Sequence, residues 1–144
     1  MATGLLYGLV FTAVFNKEID LPDDTIKCML TTSTYTPSQD THDYKNDITN
    51  EVSGTGYTAT GNTLTNDTVT YTGGTNVWAY DADDVSWTTA SFTARYAVVY
   101  DATPASDATR PLIMYQDFIG DQTVTVGTFT IKWNASGLFT ITVS

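Results

Sequence analysis

The chain has 144 residues, and its sixteen Asp and Glu outnumber its six Lys and Arg, for a formal net charge of −10 and a pI of about 4.1. So few basic residues cannot neutralise a phosphate backbone, so we expect no nucleic-acid partner. The 12% aromatic content excludes a disordered acidic tail. Twenty-nine threonines against two glutamates exclude a helical bundle and indicate a single β-rich domain over residues 1–144.

The most apolar segment near the N-terminus is residues 5–15, LLYGLVFTAVF. It is too short to span a bilayer. No basic region precedes it and no small-residue cleavage site follows it, so a secretory signal is not indicated. We therefore expect this segment to be buried in the fold, and we expect no membrane partner.

Cys28 is the single cysteine, and it lies in the apolar stretch 26–30. A lone cysteine cannot form an internal disulfide, and this setting favours a small buried hydrophobic side chain. The fold then does not depend on oxidation, which fits synthesis in a reducing cytoplasm.

The first half of the chain is dominated by one long polar segment. Pro22 and its Asp neighbours predict a turn, and residues 25–32 predict a strand. Residues 35–56 are then polar and predict a long functional or interface loop, with a short helical turn around residues 43–48.

From residue 57 onward apolar and polar residues alternate with a period of two, separated by turn residues. Residues 57–59 and 63–64 are predicted to pair across a turn at Gly61, and residues 134–137 are predicted to connect a hairpin. The other predicted strands are 68–71, 77–80, 94–100, 111–118, 123–126, 129–133 and 138–143, with a loop at 104–110. The pattern predicts an all-β fold: a single β-sandwich or jelly-roll-like domain of about 8–10 short antiparallel strands with one long polar loop (35–56).

Residues that usually carry catalysis are scarce. His42 is the single histidine, and its polar neighbourhood favours a surface histidine bonded to nearby Asp residues over a catalytic one. One His and one Cys cannot form a zinc site. The glycines of 54–56 lack the rest of a phosphate-binding loop. We expect no catalytic residues, no cofactor and no enzymatic activity.

Two other features leave alternatives open. Asp81, Asp83 and Asp84 form an acidic turn that is favoured to be solvated structure, although carboxylates are also calcium ligands. The tryptophans and the nine tyrosines either form a sugar-stacking platform or fill the core and a subunit contact, and the second alternative is favoured. The tryptophans are Trp78, Trp87 and Trp133.

Several blocks of sequence, taken together and in order, are similar to those of a known family. They are residues 24–27 (DTIK), 30–37 (LTTSTYTP), 39–42 (QDTH), 50–59 (NEVSGTGYTA), 81–87 (DADDVSW), 93–100 (TARYAVVY), 111–113 (PLI) and 129–137 (FTIKWNASG). Over roughly residues 20–143 the chain resembles a group of tailed-bacteriophage virion structural proteins. The resemblance implies a small non-enzymatic β-domain of the particle, made in the host cytoplasm and located in the virion.

The resemblance favours a capsid decoration or cement protein that stabilises contacts between major capsid protein subunits. Its expected partners are the major capsid protein and copies of itself, in a homo-oligomer for which a trimer is one geometry. Two alternatives stay open. One is a tail, connector or fibre-base component of the same particle, and the other is a glycan-binding β-sandwich module.

Overall fold

The structure is a computed structural model that describes residues 4–144. It contains eight strands and one short α-helix, which confirms the all-β prediction. In chain order these are β1 (Gly4–Leu6), α1 (Val10–Phe15), β2 (Ile26–Thr31), β3 (Asn62–Thr63), β4 (Thr68–Thr72), β5 (Val77–Asp81), β6 (Val85–Asp101), β7 (Leu112–Ile131) and β8 (Phe139–Thr142). The predicted domain 1–144 includes Met1–Thr3, which lie outside the described residues.

The strands form two antiparallel sheets in a sandwich-like arrangement. The larger sheet has the order β1-β7-β6-β2-β3, and the smaller one has the order β4-β5-β8. Threonine alternates with apolar residues along the small sheet, so Thr68, Thr70 and Thr72 of β4 share its solvent face with Thr140 and Thr142 of β8. The threonine excess therefore supplies solvent faces of strands, where a branched Cβ suits an extended backbone.

The β6–β7 hairpin is the longest element, and its strands are much longer than the sequence indicated. β6 has 17 residues and β7 has 20, so the three strands predicted over 111–133 are one continuous strand. The register shifts where Ile119 and Val126 take positive φ angles of 66° and 44°. At these bulges β7 contains extra residues but continues to pair with β6. Gly and Asp at the bulges are also common in turns, so the sequence indicates strand ends where the strand in fact continues.

The large sheet is buried on both faces. On one face, Cys28 and Leu30 of β2 and Val99 of β6 belong to the main core, which α1 and the small sheet cover. On the other face, Met29 and Val98 belong to a second apolar cluster with Tyr7 and Tyr35. Cys28 is fully buried, as expected, and burial raises the pKa of its thiol.

The segment 35–56 is a long, mostly polar loop, as predicted, and part of it packs over the second apolar cluster. Tyr35 is 1% exposed, and Lys45 is buried where its ammonium meets the Asp107 carboxylate at 2.8 Å and lies 5.7 Å from the centre of the Tyr100 ring. The predicted helical turn is present as a 3-10 turn at Lys45–Asp47. Polar residues dominate this segment because only a few of its side chains reach the core.

Two predicted turns connect different elements from those expected. Gly61 does not join a hairpin, because residues 57–59 form no strand and β3 pairs with β2 instead. Residues 134–137 make a tight turn closed by a bridge between Asn134 and Gly137, yet they lead from β7 in the large sheet to β8 in the small one. Local turn chemistry predicts where the chain reverses but not which strand it then pairs with.

Candidate interaction surface

The apolar N-terminal segment is only partly buried, which corrects the expectation that residues 5–15 lie inside the fold. Val10 and Ala13 of α1 enter the core, whereas Phe11, Val14 and Phe15 are 39%, 38% and 81% exposed. A helix turns about 100° per residue, so the five apolar residues among the six of α1 cannot all face one side. The helical spacing of Phe11, Val14 and Phe15 is the sequence signal that separates this outer face from the inner one.

α1 ends in a Schellman motif that holds its exposed face in place. The Glu18 amide donates to the Ala13 carbonyl at 2.9 Å and the Lys17 amide donates to the Val14 carbonyl at 3.0 Å. Lys17 adopts the left-handed conformation that this motif requires, with a φ of 63°. The helix is short, so this closure and the buried side chains of Val10 and Ala13 position it rather than intrinsic helix stability.

The small sheet places a second set of exposed apolar side chains beside α1. In its register Val69 is opposite Tyr80 and Tyr71 is opposite Trp78, and these pairs share one face. Tyr80 is buried in the core, whereas Val69, Tyr71 and Trp78 are 38%, 47% and 42% exposed. One face of the small sheet is therefore buried in the core at Tyr80 and exposed to solvent at Val69, Tyr71 and Trp78.

Between α1 and the small sheet lies an apolar groove of about 340 Å³. Phe11 and Val14 line it from the helix, and Val69, Trp78 and Ile141 line it from the sheet. Asp20 lies on its rim, at the start of the turn that also carries Asp23 and Asp24. We call this groove, together with the exposed Phe15 and Tyr71 beside it, the apolar surface. Exposed apolar patches that are bordered by polar residues often mark the sites at which a protein contacts another molecule.

The three tryptophans lie in three separate environments, so they do not form one platform. Trp87 is 1% exposed and packs in the core against Tyr57 and Phe129. Trp133 donates its indole N–H to the Asp83 carbonyl at 3.0 Å. Trp78 alone belongs to the apolar surface, where its ring centre is 5.0 Å from that of Tyr71 at an interplanar angle of 37°.

His42 is half-buried, and its hydrogen bonds are not to aspartates as predicted. Its Nδ1 lies 2.9 Å from the Tyr35 hydroxyl, and the rings of His42 and Tyr35 stack with centres 5.6 Å apart. The Tyr35 hydroxyl in turn lies 2.9 Å from the Tyr7 hydroxyl. Burial raises the pKa of Tyr7, so this chain of hydroxyls stays neutral and links segment 35–56 to the large sheet.

The acidic turn 81–84 is engaged in structural hydrogen bonds. One Asp83 carboxylate oxygen accepts from the Asn66 amide at 2.6 Å, and an Asp84 oxygen accepts from the Trp133 amide at 3.0 Å. Within residues 4–144, no group of three or more His, Cys, Asp or Glu side chains is placed to hold a metal ion. The Asp83 and Asp84 carboxylates therefore fasten the turn to Asn66 and to the backbone of Trp133.

A second pair of carboxyl groups lies at the end of β6. Asp101 is fully buried, and its Oδ1 accepts the Thr103 amide at 2.8 Å. Its Oδ2 is buried with no hydrogen-bond partner among residues 4–144, and the Asp24 carboxyl lies nearby. Burial first, and the neighbouring Asp24 second, raise the pKa of Asp101 to about 6.

Comparisons with protein-family models, with curated proteins and with solved structures found no match for this chain. Among the described residues there is no helix long and apolar enough to cross a membrane.

Proposed function

We propose that this protein is a non-enzymatic structural protein of a bacteriophage virion, and that it decorates or cements the capsid by binding across contacts between major capsid protein subunits. The observation that carries the proposal on the structural side is the apolar surface between α1 and the small sheet. The ordered blocks of sequence that resemble phage structural proteins supply the class of particle.

The apolar surface supports a protein partner because of its composition and shape. Phe11, Phe15, Tyr71 and Trp78 present four aromatic rings at or around one groove. Aromatic anchors surrounded by polar residues are the usual centre of a protein interface. The threonine-rich opposite face of the small sheet gives the molecule one apolar side and one solvated side.

The proposed mechanism is stabilisation by mass action. A cement protein binds the assembled lattice better than it binds free subunits, so each bound copy favours the assembled shell. Burial of the apolar surface supplies the hydrophobic part of that binding energy. The net charge of −10 fits a position away from packaged DNA, which would repel the chain.

The test is to rebind the purified protein to virus particles that have been stripped of it, with cryo-electron microscopy to locate the bound copies. Wild-type protein is expected over the shell in copies that follow the capsid lattice. Phe15→Asp is expected to weaken binding by at least about tenfold, because it buries a charge in the contact. Phe15 is 81% exposed, so this substitution leaves the core unchanged.

Val126→Asp is the matched control, because Val126 is 79% exposed and lies in the β6–β7 hairpin, outside both α1 and the small sheet. Equal loss of capsid binding by both variants would show that the contact does not lie on the apolar surface. If the bound copies are found only in the small symmetric rings of a tail or connector, the capsid role is wrong. The alternative of a tail, connector or fibre-base component is then supported.

The glycan-binding alternative is favoured by one observation, the exposed pair of Trp78 and Tyr71. Adjacent aromatic rings are a surface on which a sugar ring can stack. Binding on a glycan array that is lost in Trp78→Ala but kept in Phe15→Asp would support this function instead of capsid binding.

A further inference from the structure

β4 is the edge strand of the small sheet, and it carries none of the features that usually protect an edge. Its sequence is Thr-Val-Thr-Tyr-Thr, and all five residues are exposed. Its pairing with β5 is continuous from Thr68 opposite Asp81 to Thr72 opposite Val77. Natural edge strands are usually blocked by a lysine, a proline, a bulge or a very short length. By contrast, the edge strands of the large sheet, β1 and β3, have three and two residues.

The hydrogen bonds of the small sheet define which backbone groups of β4 face outward. The Val143 amide donates to the Asn76 carbonyl at 2.8 Å, so Asn76, Trp78 and Tyr80 direct their backbone groups toward β8. The alternate residues of β5 then bond to Thr68, Thr70 and Thr72 of β4. The amide and carbonyl groups of Val69 and Tyr71 consequently point away from the sheet, where in residues 4–144 no strand lies beside them.

We propose that β4 pairs with β4 of a second copy of this chain, in an antiparallel two-fold arrangement centred on Thr70. In this register Val69 of each copy lies opposite Tyr71 of the other, and Thr68 lies opposite Thr72. Val69 and Tyr71 exchange their outward amide and carbonyl groups across the axis, which makes four hydrogen bonds. The two small sheets join into one six-stranded sheet.

The side chains and charges of β4 fit a second copy. Val69 against Tyr71 is a β-branched residue against an aromatic one, which is a favourable cross-strand pair, and threonine against threonine is another. β4 has no charged residue, so two chains of net charge −10 meet without like charges in register. The nearest acid is Asp67, which would face Gly73 of the other copy and which already accepts the Tyr80 hydroxyl at 2.9 Å.

The proposal goes beyond capsid binding, because it names a contact between copies that uses the edge of the sheet rather than the groove. Thr70 lies on the solvent face, opposite to the face that lines the groove. Substitution of Thr70 therefore changes the dimer contact without changing the groove. A chain that dimerises but does not bind the capsid contradicts the proposed function, whereas a chain that binds the capsid but does not dimerise contradicts the β4 pairing.

The test uses analytical ultracentrifugation of the full chain over a range of concentrations. Wild-type protein is expected to form dimers reversibly. Thr70→Lys places two lysines directly opposite each other at the axis and is expected to weaken the dimer by at least about tenfold without changing the unfolding midpoint. Thr142→Lys is the matched control, because it adds the same charge on the same solvent face of β8, at the other edge.

A second variant gives a covalent signal. Thr70 would form a non-hydrogen-bonded pair with its own symmetry mate, at a Cα separation that suits a disulfide. Thr70→Cys is expected to form a disulfide-linked dimer under mild oxidation, whereas Thr142→Cys is not, and the buried Cys28 does not contribute. A wild-type chain that stays monomeric at its solubility limit, or a Thr70→Cys variant that does not cross-link, overturns the proposal.

Discussion

The Tyr7 hydroxyl lies 2.9 Å from the Tyr35 hydroxyl, and this contact joins two parts of the chain that are 28 residues apart. Tyr7 follows β1 and Tyr35 begins the polar segment 35–56. Both rings are essentially fully buried, at 0% and 1% exposed, beneath that segment. The bond is therefore one of the points at which a polar, irregular stretch of chain is fastened to the large sheet.

Tyr35→Phe is expected to lower the free energy of unfolding by roughly 1–3 kcal/mol, because it leaves the buried Tyr7 hydroxyl without its partner. Tyr7→Phe is expected to cost less, because the Tyr35 hydroxyl keeps its hydrogen bond to His42 Nδ1. The double variant is expected to cost clearly less than the sum, because no buried hydroxyl is then stranded. Urea unfolding of the four proteins measures the coupling. Additive losses would show that the two hydroxyls do not depend on each other.

Gly61 passes so close to β2 that a side chain cannot be added there. It has a φ of 82°, and a Cβ atom at this position would collide with the Cys28 carbonyl group. Gly61→Ala is expected to destabilise the protein by roughly 2–4 kcal/mol through backbone strain and displacement of β3. Gly74→Ala is the control, because no described atom lies within 4 Å of its added Cβ. Thermal unfolding that affects both variants equally would contradict this explanation.

The sequence predicted what depends on local pattern and missed what depends on distant partners. The alternation of apolar and polar residues located β4, β5 and β8, because side chains in a strand face opposite sides in turn. The bulges at Ile119 and Val126 were missed because an extra residue within a strand looks like a turn. The pairing of β8 with β5 was missed because a turn sequence carries no information about which sheet the next strand joins.

The apolar surface was missed for a different reason. The segment 5–15 is mostly apolar, and hydrophobic content alone predicts burial, although five of its large apolar side chains are exposed. From the sequence, Trp78 is a candidate either for a sugar-stacking platform or for the core. Its neighbour across the register, Tyr71, could be paired with it only once the β4–β5 pairing was known.

Thr31 carries a buried hydroxyl that its surroundings do not satisfy. The residue is 0% exposed, and its Oγ1 has no hydrogen-bond partner among the described residues. Thr31→Val replaces the hydroxyl with a methyl group of similar volume and is expected to raise the free energy of unfolding by roughly 0.5–2 kcal/mol. Thr93→Val is the control, because the exposed Thr93 hydroxyl bonds to that of Thr123 at 2.8 Å and its loss brings no gain. A destabilised Thr31→Val variant would mean that the hydroxyl is satisfied by a buried water.

The buried carboxyl of Asp101 is expected to make the free energy of unfolding depend on pH between about pH 4 and pH 6. Its pKa in the folded protein is raised to about 6 from an ordinary value of 3.8. The folded state therefore holds a proton that the unfolded state has already released between these values. The resulting stabilisation is complete below about pH 3.8 and is lost as the pH rises through 6. The shift corresponds to roughly 3 kcal/mol.

Asp101→Asn is expected to remove this dependence, because a side-chain amide carries no charge and still accepts the Thr103 N–H through its oxygen. The variant should be more stable than wild type at pH 8 by up to about 3 kcal/mol, and the difference should shrink to nearly zero at pH 4. Urea unfolding at a series of pH values measures this difference directly. Subtracting the two curves cancels the contributions of Asp107 and Asp117, the carboxylates whose pKa is lowered by a basic partner, since they titrate alike in both proteins.

Asp24→Asn provides a second check, because removing the neighbouring acid should lower the pKa of Asp101 and shift the loss of stability to lower pH. A difference between wild type and Asp101→Asn that stays constant from pH 4 to pH 8 would show that Asp101 holds no such proton.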